Sequence, residues 1–130
     1  MAVANGTCTR LSIQNREYGN QCSGKLLNTI YPDGRVGFYF VTEAGAALTF
    51  TGMGSRQVKP NADTAVQPVD GIFFTYKGKT DRLSAVGTCR FTNPYQRAGT
   101  VACHADTPNG PYEAAFRTDG KPPSVLNTGR

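Results

Sequence analysis

The chain has 130 residues, with 15 Gly, 8 Pro, no Trp and a formal net charge of +5. That length suits one domain able to bury its own core, and about thirty Leu, Ile, Val, Phe and Tyr residues suffice for one core but not two. The longest apolar runs, such as residues 36–41 and 71–74, are far too short to cross a bilayer as a helix, so no membrane span is expected.

Ala2-Val3-Ala4 has the small-x-small pattern that ends a secretory signal. The chain therefore reads as a mature exported protein, periplasmic or secreted. No stretch carries apolar residues at helical spacing over a dozen positions. Gly, Pro, Asn, Asp and Thr instead punctuate it every eight to twelve residues, the rhythm of short antiparallel strands.

Eight strands are predicted in order. The first covers residues 7–14 and is followed by a polar turn over 15–20. The second covers 21–31, and Pro32-Asp33-Gly34 supplies a tight turn, with Pro fixing φ and Asp-Gly tolerating the remaining angles. The third, 35–42, alternates Val36, Phe38 and Phe40 against Arg35, Gly37 and Tyr39. Glu43-Ala44-Gly45 turns the chain into a fourth strand over 46–51. Residues 52–70 read as a long irregular loop, with a weak strand near 56–59. A fifth strand follows over 71–77, placing Tyr76 on the face of Ile72 and Phe74, and Lys77-Gly78-Lys79 makes the next turn. The sixth covers 81–92, the seventh 99–106 and the eighth 112–118, with Pro108-Asn109-Gly110 between the last two. Residues 1–120 form one domain and 121–130 a flexible tail. The fold expected is all-β: a small antiparallel barrel or a sandwich.

Four cysteines fall in two pairs of equal spacing, Cys8 with Cys22 and Cys89 with Cys103, each opened by Gly-Thr-Cys. Even-numbered, well-spaced cysteines in a short chain indicate disulfides and an oxidising compartment. Hairpins centred near residues 15 and 96 set each pair opposite each other within bridging distance, so Cys8–Cys22 and Cys89–Cys103 are the expected bonds. The surroundings match further: Pro32-Asp33-Gly34 with Pro108-Asn109-Gly110, and Phe40 with Phe116. These suggest a duplicated three-strand unit.

Catalytic signals are sparse. His104, the single histidine, lies in opposite phase to Val101 and Cys103 and so faces solvent, with no nucleophile nearby in sequence. The cysteine spacing is wrong for a zinc site, no Asp-x-Asp calcium loop occurs, and no nucleotide-binding motif is present, so no metal or cofactor is expected. Basic residues concentrate between Lys77 and Arg97, a density more typical of a solvated sheet face than of a nucleic-acid site. The candidate binding residues are Arg35, Tyr39, Lys77, Lys79, Arg82 and Tyr95, since Tyr and Arg are enriched at recognition surfaces. The leading reading is an exported, non-enzymatic barrel that engages a small ligand or a protein by its mouth or a loop. The alternatives are an inhibitor or interaction module using the 52–70 loop, and a small hydrolase or nuclease using His104.

Overall fold

The computed structural model describes residues 2–18, 22–42, 45–92 and 99–121, together with the backbone of 124–125. The fold is a closed barrel of eight antiparallel strands. They are β1 (Ala2–Ile13), β2 (Cys22–Ile30), β3 (Arg35–Thr42), β4 (Ala47–Met53), β5 (Thr64–Tyr76), β6 (Lys79–Thr92), β7 (Thr100–Thr107) and β8 (Gly110–Thr118). Each pairs with the next, and β8 returns to β1 through Gly6↔Thr118 to Ile13↔Tyr112. Closure pairs the first and last strands of the meander with each other, so neither is left as an edge over the residues so paired.

The period-2 alternation read from the sequence selects the inner face. Val36, Phe38 and Phe40 of β3, Leu48 and Phe50 of β4, and Ala114 and Phe116 of β8 are all buried. Phe40 meets Phe50 edge-on at 5.8 Å, and Phe38 lies 5.2 Å from Phe91. Small side chains at Ala4, Ala85 and Ala105 complete the same core. An eight-stranded barrel is just wide enough for side chains to fill, and this one is filled.

Both expected disulfides are present. Cys89 and Cys103 are directly opposed in a continuous ladder from Val86↔Asp106 to Phe91↔Val101, with Cα atoms 4.0 Å apart. Cys8 and Cys22 extend the β1–β2 register beyond Asn5↔Lys25, where the ladder itself has stopped. The third strands differ in register. Cys22 faces Thr42, whereas Cys103 faces Ala114. With the 76-residue offset of the turns, Thr42 corresponds to Thr118, four positions beyond Ala114. The likeness between the two cysteine segments therefore holds for the hairpins and not for the register of the strand that follows.

Two sequence expectations need correction. The irregular stretch is shorter than 52–70, because β4 runs to Met53 and β5 already begins at Thr64. Ala65, Gln67 and Val69 point inward there, and a glutamine among them hid the alternation. Gln67 is wholly buried but satisfied: its Nε2 donates to the carbonyls of Met53 (2.8 Å) and Pro68 (3.0 Å), and its Oε1 accepts from Gln57 Nε2 (3.1 Å). A buried amide costs little when its partners are supplied. Between β4 and β5 lie a 3₁₀ turn over Gly54–Arg56 and a bridge between Val58 and Val66, in place of the expected weak strand. Second, Tyr76 is 44% exposed, outside the core, because it is the last residue of β5 before the turn. Of the tail, Ser124–Val125 pairs with Ala2 and Val3.

Candidate functional site: the mouth of the barrel

In a meander, connections alternate between the two ends of the barrel. The β1–β2, β5–β6 and β7–β8 connections therefore share one end. Two of them contain a tight turn for a local reason. Gln14 and Asn15 both take positive φ (54° and 70°), as do Lys77 and Gly78 (51° and 79°). These are the two-residue turns whose twist matches that of the flanking strands. A short strand, Arg16–Glu17, folds back on Ser12 and Ile13. The β1 hairpin is held against the β7–β8 hairpin by Gln14 N donating to Pro111 O (2.7 Å) and Gln14 Nε2 donating to Tyr112 Oη (2.9 Å).

These hairpins enclose a half-open cavity of about 610 Å³. Ile13, Tyr18, Phe74, Leu83 and Tyr112 give it apolar and aromatic walls, and Tyr112 is itself buried. Gln14, Arg16, Asp81, Arg82 and Asn109 add amide and charged groups. A smaller apolar pocket, about 150 Å³, is lined by Ala2, Leu26, Phe38 and Phe91.

A second cluster lies on the outer wall of β3–β5. Arg35 donates to both carboxylate oxygens of Asp70, at 2.7 and 3.2 Å, and Thr51 Oγ1 lies 3.4 Å from its Nη1. The hydrogen bond from Arg35 holds the Asp70 carboxyl below its ordinary range against some desolvation, with added help from the charges of Arg35 and Arg82. The same bond raises the guanidinium of Arg35. Tyr39 faces outward as expected and its hydroxyl contacts that of Tyr31. Arg82 sits 5.6 Å from the ring of Phe73.

A third cluster crosses the outer faces of β1, β8 and β7. His104 Nδ1 is 3.1 Å from Glu113 and its Nε2 is 3.3 Å from Asp106. Arg10 bridges Glu113 (3.0 Å) and Glu17 (3.4 Å). His104 is half exposed, as the strand phase implied, and its partners here are two carboxylates. Among the described residues no hydroxyl or thiol hydrogen-bonds to it.

The candidate residues thus separate. Arg35 and Tyr39 share the outer wall, and Arg82 joins that wall to the mouth. Lys77 lies in the turn with its ammonium 5.3 Å over the Tyr76 ring, a cation–π contact, and Lys79 opens β6. Tyr95 lies outside the described residues. Tyr18, Phe74, Leu83, Tyr112, Arg16 and Asp81 were not singled out in the sequence. The signal that could have found them is topological: each lies within six residues of a turn that a meander puts at one end. No three of His, Cys, Asp and Glu gather as a metal site among the described residues. No protein-family model matches the chain, and neither the curated proteins nor the solved structures contain a match.

Proposed function

We propose that this is an exported, non-enzymatic binding protein that takes a small amphipathic ligand in the mouth of its barrel. One observation carries the reading. The interior is filled, and a concavity of about 610 Å³ sits over it with aromatic walls and a polar rim. Small-molecule sites commonly span roughly 300–1,000 Å³ and combine apolar walls with a few oriented polar groups. The two disulfides fit an oxidising compartment, and no helix among the described residues is long and apolar enough to cross a membrane.

The reading is tested by a thermal-shift screen of small amphipathic compounds against the wild type and Leu83→Arg. Leu83 is only partly buried, so the variant should fold while filling the cavity. Hits should stabilise the wild type and lose their effect in the variant. Hits that stabilise both equally would place binding elsewhere.

A second reading, a protein-interaction module, is favoured by the β4–β5 connection. Val58 is 58% exposed, yet its backbone is tied to Val66 by hydrogen bonds of 2.9 and 2.7 Å. An ordered, exposed apex of this kind docks with little loss of conformational entropy.

A further inference from the structure

Three charged residues line the mouth, Arg16, Asp81 and Arg82. Arg82 is turned to the outer wall, over the Phe73 ring at 5.6 Å and near enough to Asp70 to lower its pKa, which leaves Arg16 and Asp81 as the charges of the cavity itself. On the outer wall Glu17 and Glu113 pair with Arg10, Asp70 pairs with Arg35, and Asp106 pairs with His104. Among the described residues Asp81 alone of the carboxylates has a side chain with neither a hydrogen bond nor an ion pair, and the Arg16 side chain makes none either. Both belong to the cavity face. Arg16 stands across its ladder from Ile13, and Asp81 stands across from Phe74. All four residues line the cavity. The two charges come from different walls, one from the β1 hairpin and one from β6.

We propose that the ligand is zwitterionic: a short peptide or amino-acid derivative whose carboxylate meets Arg16, whose ammonium meets Asp81, and whose apolar side chains rest on Tyr18, Phe74 and Leu83. This rests on the mouth being the binding site. Elimination among ligand charges supports it. A simple anion is attracted by Arg16 and repelled by Asp81, and a simple cation meets the reverse. A neutral ligand covers both groups and leaves each partly desolvated without a partner, which is unfavourable. A dipolar ligand satisfies both. Arg16 also offers a planar fork that matches a carboxylate.

The test titrates the dipeptide Leu-Phe, its N-acetyl form, its C-terminal amide and the doubly blocked peptide into the labelled protein, followed by NMR. The free dipeptide should shift resonances of Tyr18, Phe74 and Tyr112, and each single block should weaken it about tenfold, as expected for losing one charge-assisted contact. Arg16→Gln should weaken the free dipeptide similarly and leave the amide unchanged. Asp81→Asn should do the same with respect to the acetylated form. Equal binding of the free and doubly blocked peptides at the mouth would overturn the zwitterion and leave the mouth intact as a site. So would a screening hit that shifts the mouth when no dipeptide does. If neither peptides nor hits perturb the mouth, both readings fall.

Discussion

Single residues on this barrel divide by which way the strand pleat turns them. Arg35 and Asp70 are on the outside, half-wet and joined by two hydrogen bonds. Because folding lowers the Asp70 pKa, the pair stabilises the fold above the ordinary carboxylate range and loses that contribution as pH falls through the folded value. Asp70 is 55% exposed, so Asp70→Asn should cost at most about 1 kcal/mol at neutral pH. The difference from wild type should shrink as pH falls below the ordinary carboxylate range. Denaturant titrations at neutral and acid pH measure it, and a cost independent of pH would contradict the assignment. Gly87 answers to a stricter constraint. A Cβ there would lie 1.9 Å from the carbonyl oxygen of His104 in the neighbouring strand. Gly87→Ala should therefore cost roughly 2 kcal/mol as β6 and β7 are pushed apart, seen as a lower urea midpoint. An unchanged midpoint would mean the strands yield freely.

At the scale of elements, much was legible beforehand. The span of β3 was read residue for residue, because Val36, Phe38 and Phe40 alternate cleanly and Pro32-Asp33-Gly34 marks its start. Both disulfides followed from the opposition of each cysteine pair across its own hairpin. β5 was cut short because Gln67 and Pro68 interrupt its apolar rhythm, and only the tertiary partners of Gln67 explain that polar side chain in the core. The mouth was harder to read, since its walls come from three hairpins far apart in sequence. The two disulfides close loops of equal length, and each should contribute about 3 kcal/mol by chain entropy. Their removal should nevertheless differ locally. Cys8–Cys22 spans a seam whose ladder ends at Asn5↔Lys25, whereas Cys89–Cys103 lies within an uninterrupted one. Cys8→Ala/Cys22→Ala should speed amide exchange mainly in β1 and β2, while Cys89→Ala/Cys103→Ala should weaken the whole barrel, because both cysteines are buried in the core. Identical exchange profiles would refute the distinction.

For the molecule as a whole, closure and filling decide where function can sit. The exposed residues of β7, Thr100, Ala102, His104 and Asp106, are mostly polar. A lipid-facing barrel instead presents an apolar outer band. Phe40, Phe50 and Phe116 occupy the interior, so a ligand has no central chamber to enter. The end capped by the β1, β5–β6 and β7–β8 hairpins offers a concavity in its place, where sequence-distant residues converge over a solid floor. The decisive measurement is an amide and side-chain NMR shift map with the strongest compound from the thermal-shift screen. A binding mouth requires the largest shifts at Ile13, Tyr18, Phe74, Leu83 and Tyr112, with Tyr39 and Val58 unmoved; largest shifts at Tyr39 and Phe73 on the outer wall, or at Val58, would contradict it.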